Sequence, residues 1–387
     1  MSDSAPPAPR LSDLLDRRSS RRSFLARASA LGITLPAALA ACGRKEAPRE
    51  ERAESATTKP ATQRPGGQAA GGQQPGAPHI RNPDSREDTA LHHPPTPTSG
   101  TGGTPAADVR FERYDPTLPP LSPTRHLKLH WTARNAPIRV MPEVVVAAWT
   151  FEGNLPGPIV HVRQGDTVEF TLTNNGTIPH SMDFHAAQIN PKTAFRSVAP
   201  GDSVTYTFKP RYAGAFLYHC GTAPVLMHIG SGMFGAIIVD PPTPLPHAKE
   251  FVLVQSEFYL GPAQNGVQAF DYSKMLETLP DYFAFNGRPS QYQSEPIRVK
   301  AGDRVRFYVV NAGPTHACGF HVVGEQFETV YLGAPPGNAI HGVQTFAVGA
   351  GGGMVFELVA DIPGEFPFVN HDFGHGQKGA IGMLVVE

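Results

Sequence analysis

A short pattern occurs twice in this chain of 387 residues and predicts two copies of one β-domain. In the first copy, Gly165 begins Gly-Asp-Thr-Val-Glu-Phe and Gly176 ends Asn-Asn-Gly. In the second copy, Gly302 begins Gly-Asp-Arg-Val-Arg-Phe and Gly313 ends Asn-Ala-Gly, with the same spacing. Short β-branched and aromatic runs alternate with Gly, Pro and Asn turns around these motifs. The predicted fold class is all-β, with two tandem Greek-key β-sandwich domains after a disordered N-terminal linker.

Composition sets the expected domain limits. Pro, Gly, Ala, Thr and Gln dominate residues 43–122, a composition typical of a flexible linker. Three of the five residues 240–244 are proline, which cannot sit inside a hydrogen-bonded ladder. We therefore expect the first domain at residues 123–243 and the second at residues 244–387, each of a size normal for one sandwich.

Residues 1–42 have the pattern of an export signal. A Ser-Arg-Arg-Ser-Phe-Leu motif at residues 20–25 precedes an apolar run that is too short to span a bilayer. The motif resembles a twin-arginine signal, and residues 39–43 resemble a lipoprotein cleavage box in which Cys42 is lipidated. The alternative is a short amphipathic helix with an incidental cysteine. We expect an exported lipoprotein on the periplasmic side of a membrane, and Gly43 is compatible with the outer membrane.

The net charge limits which partners are expected, and the cysteine content limits which disulfide bonds can form. The formal net charge is −1, so the overall charge does not recruit nucleic acid. The chain has three cysteines, and we assign Cys42 to lipid and Cys220 to metal. Cys318 then has no partner for a disulfide, and we interpret it as a small buried apolar residue.

The residues after Cys220 have the spacing of a blue-copper site. His228 and Met233 follow this cysteine, and His180 lies earlier in the same predicted domain. Two imidazoles, a thiolate and a weak axial thioether are the ligands of blue-copper electron-transfer sites. Met227 is the competing axial candidate. We prefer Met233, because a strand through this segment would point Met227 away from its neighbour His228.

His219 and His185 indicate a second metal. If the segment before Cys220 is a strand, His219 points to the opposite face and cannot join the same copper. Two imidazoles are one or two ligands short of a catalytic copper or zinc site. In the matching segment of the second half, Asn370 stands where Cys220 stands in the first, and His371 follows it. His371 is therefore the candidate for the missing ligand.

Residues 125–387 resemble the copper-containing nitrite reductases of the two-domain cupredoxin type, in the branch with a short Cys-to-His loop. The resemblance implies one copper of each type in every subunit of a homotrimer. It implies a type 1 copper held by His180, Cys220, His228 and Met233, and a type 2 copper held by His185, His219 and His371. By the same resemblance, the type 2 copper lies between subunits, His371 comes from a neighbouring chain, and electrons pass through Cys220 and His219.

The activity implied is the one-electron reduction of nitrite to nitric oxide, which consumes two protons. The resemblance implies Asp183 and His321 as the proton donors and Val323 as an apolar wall that confines nitrite. The alternative role for Asp183 is an Asx-type turn. His316 is a competitor for the role of His321, and the dipeptide Gln344-Thr345 resembles the residues that support that histidine in the family.

Two other classes remain open. A laccase-like multicopper oxidase uses the same domain, but its trinuclear cluster needs paired His-x-His motifs, and this sequence contains none. Gly221 also follows Cys220 where such an oxidase carries His. A non-catalytic copper lipoprotein that carries electrons would leave Asp183 and the second set of histidines unexplained. Because the sequence contains no Cys-x-x-Cys-His haem motif and no third domain of this type, we expect a separate electron donor, a small cupredoxin or c-type cytochrome.

Overall fold

Strands dominate residues 106–387, the part of the chain described by the structure, which is a computed structural model. The strands of the first half are β1 His126–Met141, β2 Val144–Phe151, β3 Val160–Arg163, β4 Thr167–Asn174, β5 Asp183–Phe184, β6 Ser203–Phe208, β7 Gly214–His219 and β8 Phe234–Asp240. Those of the second half are β9 Lys249–Phe258, β10 Leu260–Gln264, β11 Val267–Phe270, β12 Tyr282–Phe285, β13 Ile297–Val299, β14 Asp303–Gly313, β15 Cys318–Val322, β16 Phe327–Tyr331, β17 Ala339–Val343, β18 Thr345–Val348, β19 Gly353–Ala360, β20 Gly364–Asn370 and β21 Ile381–Val386. The all-β prediction is confirmed.

The described helices are short and lie in the loops. They are the α-helices α1 Pro191–Ala194, α2 Val225–Gly230, α3 Tyr272–Leu276, α4 Gln291–Ser294 and α5 Phe373–Gln377, and a 3₁₀ turn at Ala106–Asp108. A cap holds the start of several of them. The side chain of Asp271, for example, accepts the backbone N–H of Lys274 at the start of α3. Helices of this length have little stability of their own, so packing against the sheets determines where they form.

Each half is a sandwich of two sheets with the same strand order. In the first half, β2-β1-β4-β6 form one sheet and β3-β8-β7-β5 the other. In the second half, the corresponding orders are β12-β9-β14-β19 and β13-β21-β20-β15, extended by β16, β17 and β18. Even the parallel pairs recur, since β1 with β4 matches β9 with β14, and β3 with β8 matches β13 with β21. The two motifs found in the sequence therefore mark one repeated fold.

Alternating burial explains why these segments form half-buried strands. Along β4, Val168, Phe170 and Leu172 are fully buried, while the residues between them are partly exposed. Phe170 packs edge-to-face against Trp131 of β1, with ring centroids 5.4 Å apart. Burying one such large apolar side chain contributes about 1.5–3 kcal/mol, so each face of the sandwich is strongly specified.

The two sandwiches share one sheet edge. The hairpin of β10 and β11 belongs to the second half, but β11 pairs with β2 and so extends the first domain's sheet. The expected boundary near residue 243 lies between β8 and β9. The sequence pattern did not show that a hairpin from beyond this boundary would complete the first sheet.

The last part of the predicted linker is instead fixed to both domains. The backbone N–H of Leu118 donates to the carbonyl of Glu250 at 3.0 Å, and that of Val252 donates to the carbonyl of Pro116 at 2.7 Å. Leu118 is 8% exposed and belongs to the apolar core between the sandwiches. From composition, we assigned residues 106–122 to the linker. The hydrogen bonds and the buried Leu118 show that the linker ends earlier than we predicted.

The expectations for the rest of the N-terminal region concern residues 1–105, including the signal motif, Cys42 and most of the predicted linker. All of these lie outside the described residues. Within residues 106–387, no helix has the length and apolar character that crossing a membrane requires.

Candidate metal centres

The end of β7 and the loop after it bring the predicted blue-copper ligands together. Cys220 directly follows β7, His228 lies on α2, and His180 lies in the turn before β5. One ligand atom from each of these three residues lies within 4.8 Å of the others. Met233 is fully buried in the same apolar cluster, and its carbonyl accepts the N–H of Cys220 at 3.1 Å. The four side chains predicted from spacing therefore come from one small buried region.

The chemistry of this donor set fits a metal ion. Both ring nitrogens of His180 are buried, and neither has a hydrogen-bond partner among the described residues. A buried polar atom without a partner is costly, so a cation bound at one nitrogen would relieve this cost. Burial, together with the nearby His228, lowers the pKa of His180 to about 3. The ring is therefore neutral at pH 7 and has a lone pair available for a metal.

The sulfur of Cys220 is held in place by backbone donors. The N–H of Ser181 donates to Cys220 Sγ at 3.2 Å. Burial raises the pKa of the thiol, and hydrogen bonds from Ser181 and Thr222 oppose that increase. A coordinated cation deprotonates a thiol outright, so the buried sulfur is suited to metal binding rather than to free thiolate chemistry.

The reason for preferring Met233 over Met227 was partly wrong. Residues 225–230 form the helix α2, whereas we expected a strand whose alternation would point Met227 away from the metal. Met227 is buried next to His228 on this helix. Met233 lies beyond α2, and its N–H donates to the carbonyl of His228 at 3.1 Å. Backbone bonds therefore connect Met233 to two of the other predicted ligands, and its axial role stays a prediction.

A second cluster, of histidines and a carboxylate, lies on the face of β7 opposite to the side chain of Cys220. His219 is the last residue of β7 and pairs with Asp183 of β5, and His185 follows β5. The Nε2 atoms of His185 and His219 lie 3.0 Å apart. A carboxylate oxygen of Asp183 and one nitrogen of each histidine lie within 4.8 Å of one another. The strand alternation predicted from sequence therefore separates His219 from the sulfur of Cys220.

The hydrogen bonds of these two histidines point their free lone pairs at each other. His185 Nδ1 lies 3.1 Å from the carbonyl oxygen of Gly351, and His219 Nδ1 lies 2.9 Å from that of Cys220. Carbonyl oxygens only accept, so each Nδ1 carries the proton and each Nε2 presents a lone pair. Histidines that bind metals are usually held in this way through their other nitrogen. A cation fits the converging lone pairs, and burial next to His219 lowers the pKa of His185.

The second domain carries the other predicted residues of this site. His371 directly follows β20 and is exposed, and its ring centroid lies 5.2 Å from that of His321 on β15. His321 Nδ1 donates to the carbonyl oxygen of Gln344 at 2.6 Å, and His321 pairs with Thr345 of β18. The dipeptide that we associated with His321 is therefore in contact with it.

Val323 lies near His321 but not on the same strand. We expected it two positions along β15 and so on the same face, whereas β15 ends at Val322 and Val323 lies in the following turn. Its side chain is 40% exposed. The argument from strand alternation is therefore wrong for Val323, and its predicted contact with nitrite does not follow from the strand.

One chain does not bring all three predicted type 2 ligands together. Among residues 106–387, the group that contains His185 and His219 is completed by Asp183, and His371 is not part of it. His371 instead lies beside His321 on the second domain. We call the group of His185 and His219 the half-site on the first domain and the pair of His321 and His371 the half-site on the second.

His316, the competitor of His321, belongs to another cluster. Its Nδ1 lies 2.8 Å from the Thr315 hydroxyl, and its ring lies 4.9 Å from that of His375. Asn370, which replaces Cys220 in the repeat, lies 3.0 Å from His375 Nδ1 through its amide nitrogen. The second domain therefore fills the position of the first domain's metal centre with hydrogen bonds. Sequence reasoning missed His375, although α5 occupies the position of α2 in the repeat.

Cys318 is fully buried in the apolar core of the second domain. Both described cysteines, Cys220 and Cys318, are free. The interpretation of Cys318 as a small buried apolar residue is confirmed.

The two sandwiches have one topology, and the first carries a buried Cys-His-Met cluster with paired imidazoles beside it. These features define a two-domain metalloprotein of the cupredoxin class. The multicopper oxidase family model matches residues 133–244. The copper-containing nitrite reductase of Neisseria meningitidis serogroup A is 43% identical over 248 residues, which cover 62% of this chain and 64% of that protein. The copper-containing nitrite reductase of Cereibacter sphaeroides is 30% identical over 63% of this chain and 72% of its own length.

Structural comparison agrees with these relatives. The solved copper nitrite reductase of Nitrosomonas europaea superposes with a TM-score of 0.64 at 35% identity, over 68% of this chain and 94% of that one. The chain belongs to the family of copper-containing nitrite reductases. Its match spans slightly less than two thirds of the length of the Neisseria relative.

Proposed function

We propose that this protein reduces nitrite to nitric oxide with one electron, using a type 1 copper in the first cluster and a type 2 copper in the second. The observation that carries the proposal is the pair of Nε2 atoms of His185 and His219, 3.0 Å apart beside Asp183. One of these histidines is covalently bonded to Cys220 of the other cluster. Copper at the first centre would take up and pass on single electrons, and copper at the second would bind nitrite.

The residues of the first centre are buried and joined by backbone hydrogen bonds, which suits a site that keeps its geometry when it gains or loses an electron. His180, Cys220, His228 and Met233 are almost completely buried. Backbone hydrogen bonds join the loop residues, as in the pairs Cys220 with Met233 and Met233 with His228. A rigid, dry set of two nitrogens, a thiolate and a thioether suits electron transfer. The peptide bond between His219 and Cys220 is the shortest covalent connection between the two ligand sets.

The residues of the second centre can supply the protons. The balanced reaction is nitrite plus one electron plus two protons, giving nitric oxide and water. Asp183 is partly exposed and lies opposite His219, so its carboxyl group can exchange a proton with solvent and donate it to a nitrite oxygen. His321 has its Nδ1 proton fixed on the carbonyl of Gln344, which leaves Nε2 as the atom that can carry a second proton.

We propose that the second centre is completed by another copy of the chain in a homotrimer. The exposed position of His371 and the partly exposed position of His321 support this, as does the separation of His371 from the half-site on the first domain. A head-to-tail contact between one chain's first domain and the next chain's second domain closes into a ring of three when each step rotates the chain by a third of a turn. Each ring interface would bring the two half-sites together.

The proposal includes an exported, lipid-anchored protein and a separate electron donor. The N-terminal motif supports export and a lipid anchor at Cys42 on the periplasmic side of a membrane. A separate small cupredoxin or c-type cytochrome would deliver electrons. Two exposed apolar side chains support a docking surface for such a donor on this side of the first centre: Val225 on α2, the helix of His228, and Leu276 on α3, which contacts α2.

Optical and electron spin resonance spectra of the copper-loaded protein test this proposal. We expect the absorption of one blue copper and the spin signal of a second, tetragonal copper that changes when nitrite is added. A laccase-like multicopper oxidase would show a coupled cluster. A simple electron carrier would show the blue copper alone. Either of these two results would contradict the proposal.

Ser181 provides a test of the first centre alone. Its hydroxyl accepts the N–H of Gly221 at 2.9 Å and lies 3.9 Å from Cys220 Sγ, so its own proton can point at the sulfur. Hydrogen bonds to the thiolate weaken its donation to oxidised copper and raise the reduction potential. Ser181→Ala should lower the potential by ~40 mV, the equivalent of about 1 kcal/mol for one electron.

A redox titration of the visible absorption measures this shift. Ser203→Ala, at an exposed residue of β6 whose hydroxyl bonds Thr173, is the matched control and should leave the potential unchanged. An unchanged or higher potential in Ser181→Ala would show that its hydroxyl does not act on the sulfur.

A further inference from the structure

A carbonyl group of the second domain orients a histidine of the first. Gly351 lies in the loop between β18 and β19, and its carbonyl oxygen lies 3.1 Å from Nδ1 of His185. Because this oxygen can only accept, the contact fixes both the tautomer and the angle of the ring. With Nδ1 occupied, Nε2 of His185 is directed at Nε2 of His219.

The loop that carries Gly351 is held firmly at the end of β14. The N–H of Gly351 donates to the carbonyl of Asn311 at 2.8 Å, and the N–H of Asn311 donates to the carbonyl of Gly352 at 2.9 Å. The side-chain amide of Asn311 also donates to the carbonyl of Val348 at 2.9 Å. Asn311 belongs to the Asn-Ala-Gly motif of the repeat, so the loop position is set by the core of the second sandwich.

Glycine is needed here for two separate reasons. Gly351 has a φ of +78°, which residues with a Cβ adopt at a cost, whereas a Cβ there would lie at an ordinary contact distance of 3.5 Å from Cε1 of His185. A Cβ on Gly353 would overlap the carbonyl of Ala215 in β7. Gly351 therefore allows the backbone conformation that directs its carbonyl at His185, and Gly353 allows the second domain to approach the strand that ends at His219.

We propose that Gly351 is a positioning residue for the second metal centre, through its carbonyl contact with His185. The half-site on the first domain then depends on the second domain of the same chain, in addition to any residue from a neighbouring chain. Partners that orient a metal-binding histidine typically change metal affinity 10–100-fold when they are altered, so an effect of about that size is expected. The inference rests on the proposed function for the identity of the metal.

The experiment compares two glycines of the same loop in the full-length protein. Gly351→Val places a β-branched residue at positive φ against His185, which should displace the carbonyl. Gly349→Val is the matched control, because Gly349 lacks a positive φ and a Cβ there would meet nothing within 4 Å. Affinity for the second copper is measured by chelator competition, with its spin-resonance signal as the readout. The visible absorption of the first copper is the internal reference.

We expect Gly351→Val to bind the second copper ~10–100-fold more weakly and to alter its spin signal, with the first copper retained. Gly349→Val should match the wild type. If Gly351→Val does not fold, Gly351→Ala carries the test with a smaller shift in the same direction. Wild-type affinity and signal in the folded variant would overturn the inference. Absence of any second copper in the unaltered protein would instead overturn the proposed function, so the two failures are distinguishable.

Discussion

Replacing Asp183 with Asn should slow nitrite reduction by about two to four orders of magnitude while both copper ions stay bound, because a positioned proton donor contributes ~10²–10⁴-fold. Asp183 pairs with His219 across β5 and β7, and its carboxylate lies within 4.8 Å of the ring nitrogens of His185 and His219. Asn has nearly the same shape and keeps an acceptor oxygen. It lacks the exchangeable acid proton, so the variant separates proton delivery from copper binding.

Steady-state nitric oxide production, copper content and both copper spectra measure this prediction together. Asp202→Asn is the matched control, since Asp202 is an exposed residue of the turn before β6 and should tolerate the change. Wild-type turnover in Asp183→Asn with full copper content would remove Asp183 from the mechanism and favour its alternative role as a turn residue.

Replacing His371 with Ala should abolish binding of the second copper and nearly all nitrite reduction, while the first copper remains. The exposed imidazole of His371 lies beside His321 on the second domain and outside the half-site formed by His185 and His219. Without it, His185 and His219 are the two remaining ligands of the proposed set, because Asp183 is assigned to proton delivery. A catalytic site of this kind needs three protein ligands and an open position.

Co-expression tests whether His371 acts on its own chain or on a neighbour. His185→Ala and His371→Ala variants should each be inactive when expressed alone. In a head-to-tail trimer, every mixed ring contains one interface at which an intact first-domain half-site meets an intact second-domain half-site. Random mixing should therefore restore ~25% of the wild-type content of second copper and of activity. Complete failure of the mixed protein to recover either would show that His371 does not act across a subunit boundary.

The fold was largely predictable because local patterns encode it. Short β-branched and aromatic runs between turns, together with the repeated motifs at Gly165 and Gly302, predicted two copies of one sandwich. The separation of His219 from Cys220 also followed from strand geometry alone. Contacts between distant segments were not visible in this way. The carbonyl of Gly351 reaches His185 across the domain boundary, and no spacing in the sequence relates these two residues.

Three predictions from the sequence were locally wrong, and each error has a physical cause. Residues 225–230 form α2 rather than a strand, because tertiary packing under the loop outweighs the β-pattern of a short apolar run. Val323 lies in a turn, since β15 ends one residue before it. The proline-rich segment around Leu118 was assigned to the linker on composition, which does not register backbone hydrogen bonds such as that between Leu118 and Glu250.

The proposed activity itself is tested most directly by nitric oxide production from nitrite. Copper-loaded, full-length protein is supplied anaerobically with a reduced small electron donor and nitrite, and nitric oxide is measured as electrons are consumed. We expect one nitric oxide for each electron, loss of production when nitrite is omitted, and loss when the second copper is removed while the first is kept. Absence of nitric oxide under these conditions, with the donor oxidised by the protein only after dioxygen is admitted, would contradict the proposed function.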